Sequence, residues 1–175
     1  MILKYNYENG VKIRIWQDEF QTFDLSPIKI IEKEFTTTNE NIGLSKLMVV
    51  EVCLPKNASN YAMLGVKYEG CDESKILVDV FDFNTEEFSD SLGVKPDNIQ
   101  LGLPEDYVAG VFKGFEKILN SGLLMKGKYR VFIGAHGEVG SSVNIFDYTC
   151  RVLMRLLIEN DINTNVVEDV IKSEL

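Results

Sequence analysis

Histidine is nearly absent from this chain: among 175 residues there is one, His136. That excludes a metal site built on several imidazoles and leaves any Ser-His-Asp arrangement to this single ring. Cysteine is scarce too. Cys53, Cys71 and Cys150 form no CxxC pair, which argues against a disulfide framework and a thiolate zinc site and predicts buried or inert thiols. No run approaches the roughly 20 apolar residues that a membrane-spanning helix requires. The N-terminus turns polar within a few residues, without the basic-then-apolar pattern of a secretory signal. These absences predict a cytoplasmic protein without membrane contact, metal or cofactor.

The remainder is ordinary globular material, 45% hydrophobic and 26% charged, long enough for one domain with a real core. The net charge of −9 is unevenly placed. Glu69 to Asp106 holds eleven acids against Lys75 and Lys95, and so carries an excess as large as that of the whole chain. Lys113 to Arg155 reverses the sign, with seven bases against three acids. Two differently solvated faces explain this pattern, and so does a dipolar surface that orients a charged partner.

The first third reads as β-structure. Val11 to Trp16 alternates with period two after the turn signal Asn9-Gly10, so it pairs with Tyr5-Asn6-Tyr7 as a hairpin. Ile28 to Phe35 fits a strand or a short helix, and Thr36 to Gly43 a loop. Leu47 to Leu54 is almost continuously apolar and β-branched, as in a strand buried on both faces. Met63 to Tyr68 and Ile76 to Phe83 are further strands, the second with Asp79 and Asp82 outward, followed by a loop over Glu86 to Gly93. After Pro104 the period becomes 3.6. Tyr107, Val108, Val111, Phe112, Phe115, Leu119 and Leu123 form one helical face, with acids at its start and Ser121-Gly122 at its stop. Gly110 and Gly114 within that helix predict close approach to the sheet. Tyr129 to Ile133 is a strand and Gly134 to Gly140 a turn. Ser141 or Ser142 then caps a helix whose face includes Ile145, Thr149, Val152, Leu153, Leu156 and Leu157. Val166 to Leu175 suggests a last short helix.

The segment Gly134 to Ser142 invites a phosphate-cradle reading, because glycines at a helix start let amides converge on an anion. It lacks the lysine of GxxxxGK[ST], its glycines are spaced GxxGxxG rather than GxGxxG, and there is no GxSxG. A turn with a serine cap accounts for it, and anion binding at Ser141 and Ser142 is the alternative. His136 reads as a solvated loop residue. Asp79, Asp82, Glu86 and Glu87 lack calcium-loop spacing and read as an acidic surface. Lys126, Lys128 and Arg130 flank Tyr129, while Arg151 and Arg155 share a helix face. Together these five bases and the tyrosine form a pattern able to hold phosphate and stack a base.

From Leu103 onward the chain resembles the fourth domain of translation elongation factor G. The residues that carry the likeness are Leu103-Pro104-Glu105-Asp106-Tyr107-Val108-Ala109, then Val111, Gly114 and Leu119 to Leu123. The turn Glu138-Val139-Gly140-Ser141-Ser142 before the apolar helix is also similar to the family's H-x-V-D-S-S-E, with Gly140 at the Asp and Val143 at the Glu. The likeness extends more loosely back to Leu47. It implies an α+β, ribosomal protein S5 domain 2-like fold, a sheet with two helices on one face, over residues 45–175. Residues 1–44 would be a β-rich N-terminal extension packed on the same core. No GTPase motif is present. The implied function is a non-enzymatic binding module, associated with the ribosome, RNA or translation. Its candidate contacts are Lys126, Lys128, Arg130, His136, Ser141, Ser142, Arg151 and Arg155. Two other readings stand beside it: an immunity-type or regulatory protein that meets a basic partner through the acidic 69–106 segment, and a small-molecule enzyme. The oligomeric state is open, a homodimer included.

Overall fold

The computed structural model describes residues 1–55 and 60–175. The first hairpin forms where the alternation places it. β1 (Ile2–Asn6) and β2 (Lys12–Gln17) pair antiparallel across Asn9-Gly10, with Gly10 at φ +87°, a conformation that side chains disfavour. Ile28 to Phe35 resolves as strand β3 (Lys29–Glu34). The segment expected to be a loop contains β4 (Asn39–Ile42), whose few residues carry no periodic signal. β5 (Lys46–Cys53) is buried on both faces as its composition demands. β6 (Tyr61–Glu69) and β7 (Lys75–Val80) follow, the latter ending three residues before the alternation suggests.

After β8 (Ile99–Leu101), Pro104 opens a single 3-10 turn that runs into α1 (Val108–Asn120), and Gly122 at φ +76° breaks it. β9 (Met125–Lys126) pairs with β4 in a small parallel ribbon. β10 (Lys128–Gly137) is longer than expected, because the glycines after Ile133 continue the strand instead of turning. α2 (Val143–Leu157) is capped by Ser142, whose hydroxyl accepts from the Ile145 amide, and Asn163 caps α3 (Thr164–Glu174) likewise.

Among the described residues the main sheet has eight strands, in the order β1-β2-β5-β6-β10-β7-β3, with β8 added to β10. The protein is α+β. Residues 1–44 supply β1 and β2 at one margin of this sheet and β3 at the other. On one face the helices cover Ile13, Val50, Leu64, Val78, Tyr129 and Val131. α2 lies over β5 and β6, and α1 reaches the sheet through Phe115, whose ring is 5.6 Å from that of Tyr129. The second face carries its own apolar layer, with Trp16, Val49, Met63, Leu101 and Ile133 under two loop segments, 18–28 and 81–98.

A bulge divides β10. Val131 pairs with Val66 and Ile133 with Gly65, so Phe132 is the extra residue. Before the bulge Tyr129 and Val131 face the helices. Beyond it Ile133 and Ala135 face the second layer. Gly65 makes this feasible: a Cβ there would sit 2.6 Å from Ile133 and 3.0 Å from the Phe132 ring.

Gly110 and Gly114 do permit a close approach, but to α2 rather than to the sheet. A Cβ on Gly114 would meet the Asp147 carbonyl oxygen at 2.5 Å and Cys150 Cβ at 2.8 Å, and one on Gly110 would strike the Val143 carbonyl. Helix propensity favours Gly→Ala by about 1 kcal/mol, whereas overpacking costs about 1–3 kcal/mol. Gly114→Ala is therefore expected to lower stability by up to about 2 kcal/mol in urea unfolding; an increase would mean that the helices are not in contact there.

Candidate functional site

The glycine-rich segment binds an anion, and the anion is internal. Asp97 accepts from the Val139 and Gly140 amides, at 2.9 Å each, so its carboxylate occupies the position that an external phosphate would take. Ser141 is equally committed: its hydroxyl accepts from the Gly137 amide at 2.8 Å and donates to the Tyr61 carbonyl at 2.6 Å. Ser142 is the cap of α2. The three groups tie β10, β6 and the 81–98 segment to the start of α2.

His136 is not a solvated loop residue. It lies within β10 at 0% exposure, turned toward the helix layer by the bulge, with Phe83 at 4.7 Å and Tyr107 at 5.9 Å between ring centroids. Nδ1 lies 3.2 Å from the Gly102 carbonyl, which accepts from it in the tautomer protonated there. Burial disfavours the charged ring, and the Gly102 carbonyl and the Glu138 and Asp97 carboxylates offset this only in part. The imidazole therefore titrates below its ordinary range.

The basic residues are brought into two groups, each partly neutralised. In the first, Lys126 pairs with Glu40 at 2.6 Å, Lys128 with Glu73 at 3.4 Å and Arg130 with Asp79 at 3.0 Å. Tyr129, between them in sequence, points to the opposite face and is fully buried against Phe35, Tyr68 and Phe115, so it is not available to stack a base. The second group sits on the helix layer. Lys117 (2.6 Å), Lys113 (3.7 Å) and Arg151 (2.9 Å) surround Asp147, and Arg151 and Arg155 reach Glu174 on α3. Burial alone would raise the Asp147 carboxyl, but hydrogen bonds from Lys117 and Arg151 outweigh it and hold the group below its usual range. Four cations meet two carboxylates here, a local excess of positive charge on an acidic chain.

The acidic set separates. Asp82, Glu86 and Glu87 are exposed. Asp79 is 5% exposed and is engaged by Arg130 through Nε and Nη2, so it is an internal counter-charge and no part of an acidic surface. A second internal pair was not legible in the sequence. Arg14 donates to Glu51 at 2.8 Å, and Glu51 also accepts from the Tyr61 hydroxyl at 2.8 Å and the Leu92 amide at 2.7 Å. Arg14 further reaches the Asp90 carboxylate at 3.1 Å, which fastens the 81–98 segment over the second layer. Burial raises Glu51 above the ordinary carboxyl range even beside Arg14.

Between the two loop segments the second face stays partly open. A groove of about 390 Å³ is lined by Phe20, Phe23, Phe81 and Phe132, with Lys67, Arg130 and Asp79 along one wall. Lys67 had no motif to mark it; the available signal was a charge interrupting the apolar run of β6. Among the described residues no His, Cys, Asp and Glu side chains group as a metal site, and no helix is long and apolar enough to cross a membrane.

His136 gives a pH prediction. Its folded-state pKa is depressed, so its neutral form contributes stability above the unfolded value near 6.5, and that contribution is lost as pH falls through the folded-state value. Unfolding free energies from urea titrations should fall as pH drops from 6.5 toward 5.5, by at most about 1.4 kcal/mol per pH unit, with the raised Glu51 carboxyl opposing the loss at the acid end. The slope should flatten in His136→Asn, and an unchanged slope would show that another group titrates.

No protein-family model, curated protein or solved structure matches this chain significantly.

Proposed function

We propose that this protein is a non-enzymatic binding module that works at the ribosome or elsewhere in translation, as its resemblance to the fourth domain of elongation factor G implies. The observation that carries the reading is the chain order over residues 46–157. Strands β5, β6, β7 and the short β8 are followed by α1, the short β9, β10 and α2, with both helices side by side on one face of the sheet. Two helices on one face of a mixed sheet is the feature of an S5 domain 2-like fold on which this reading rests. The helix-layer cluster of Lys113, Lys117, Arg151 and Arg155 is the surface we assign to phosphate contact, because it joins the longest-reaching cations of the basic segment. Catalysis has less support. Ser141, Ser142 and His136 hold structural hydrogen bonds, and the amides that an enzyme would turn toward a nucleotide phosphate are held by Asp97.

A second reading has one observation in its favour. Asp82, Glu86 and Glu87 lie exposed on a single segment, a surface suited to a basic protein partner. Reversing those three charges should abolish capture of such a partner, and unchanged capture would count against this interface.

Sedimentation with ribosomes at low and moderate salt tests the first reading. Co-migration is expected at low salt and should fade as salt rises. The double variant Lys113→Gln and Lys117→Gln should reduce the slope of log affinity against log salt by about 2, one for each phosphate contact. No co-migration at any salt concentration refutes the ribosomal reading.

A further inference from the structure

The groove on the second face lies on the opposite side of the sheet from the helix-layer cluster, and its lining is unlike the rest of the surface. Four phenylalanines from three parts of the chain converge there: Phe20 and Phe23 from the 18–28 segment, Phe81 after β7, and Phe132 from the bulge of β10. Phe20 is anchored from behind by Trp16, 5.1 Å away and edge-on, and stands 6.5 Å from Phe132. The polar wall is cationic. Lys67 Nζ lies 4.6 Å from the centre of the Phe132 ring and has no carboxylate partner among the described residues. Asp79 engages Nε and Nη2 of Arg130, which leaves Nη1 unengaged among the described residues. Within a chain of net charge −9 this is a pocket of aromatic rings beside two cations and one carboxylate.

Concave sites of this size that combine aromatic side chains with a few convergent polar groups suit small ligands, and this groove has apolar and polar surface in similar share. A phenylalanine lining offers stacking area to any planar ring, and Lys with the free side of an Arg is a phosphate-type pair. Arg130 is pre-set by Asp79, so little side-chain freedom is lost when its remaining donors meet an anion. We propose that the groove binds a nucleotide unit, its base against the phenylalanines and its phosphate on Lys67 and Arg130. A free mononucleotide and an unpaired nucleotide of single-stranded RNA present the same chemistry. No bond is made or broken in this binding.

Trp16, the sole tryptophan, touches the groove through Phe20 and so supplies a reporter. Uridine and adenosine monophosphates, the matching nucleosides, inorganic phosphate and a hexameric single-stranded RNA would be titrated by Trp16 emission and by calorimetry. The expected result is saturable binding of the monophosphates or of the hexamer, with nucleosides and phosphate each at least about tenfold weaker, since either alone satisfies half of the site. Comparable affinity for monophosphate and hexamer identifies the free nucleotide as the source of the ligand, and preference for the hexamer identifies RNA. Lys67→Ala, an exposed substitution, should weaken binding about tenfold with an unchanged melting temperature. Phe20→Ala should weaken binding similarly but lower the melting temperature, because the ring packs on Trp16 and Phe132. No saturable binding of any nucleotide, or binding that both variants leave intact, overturns the proposal. Ribosome co-sedimentation by the Lys67→Ala protein would then separate this site from the helix-layer surface.

Discussion

One extra residue in β10 decides what each layer of this protein contains. A strand alternates its side chains strictly, so without the bulge every second residue from Tyr129 would face the helices and His136 would lie on the other side. Phe132 breaks that parity. Tyr129 and Val131 fill the helix-side core, Ile133 and Ala135 fill the second layer, and His136 turns back toward Tyr107. Gly65 on the neighbouring strand supplies the space, since the two side chains of the bulge occupy the volume its own would take. β10 is hydrogen-bonded to β6, β7 and β8, so it joins the β1-β2-β5-β6 half of the sheet to β7 and β3.

The Arg14–Glu51 pair and the ion cluster around Asp147 then fasten the layers. Removing Arg14 and Glu51 from water is costly, and their mutual attraction offsets that cost only because Tyr61 and Leu92 satisfy the remaining oxygen. What the pair contributes is position: it holds an acidic, polar segment over an apolar sheet face that would otherwise be exposed. Asp147 plays the corresponding part on the helix side, drawing Lys117 from α1 and Arg151 from α2, while Glu174 brings in α3. The glycine contacts bring α1 and α2 together, and the charges define their alignment.

The elements with strong period, the hairpin, β5, α1 and α2, were legible in the sequence because each buries one continuous face and its caps are local. β4 was not, since a four-residue strand against a two-residue partner depends on Thr37 and Asn39 bonding the carbonyls after α1, contacts distant in sequence. The glycines of 134–140 suggested a turn because glycine usually ends strands, but here Gly134 lies close under the Met63 carbonyl and Leu103, and needs its lack of side chain for packing. Gly110 and Gly114 signalled a close approach correctly, and only the tertiary arrangement could say to what. Of the candidate site, the basic residues were readable as charges, but their carboxylate partners lie on other elements: Asp79 on β7, Glu40 on β4 and Glu174 on α3. The aromatic groove had no local signature at all, being assembled from a loop, a strand end and a bulge.

The charge distribution explains why recognition should be local. At physiological salt, fields between exposed charges fade over about 8 Å. An acid-rich surface therefore opposes phosphates only where they pass close to its acids. A short, concave site avoids that penalty, because only the charges lining it lie within the screening distance. Lys67 and Arg130 outnumber Asp79 at the groove, and Lys113, Lys117, Arg151 and Arg155 outnumber Asp147 and Glu174 on the helix layer. The two local excesses of positive charge thus lie on opposite faces of the sheet, one beside the aromatic groove and one on the helix layer.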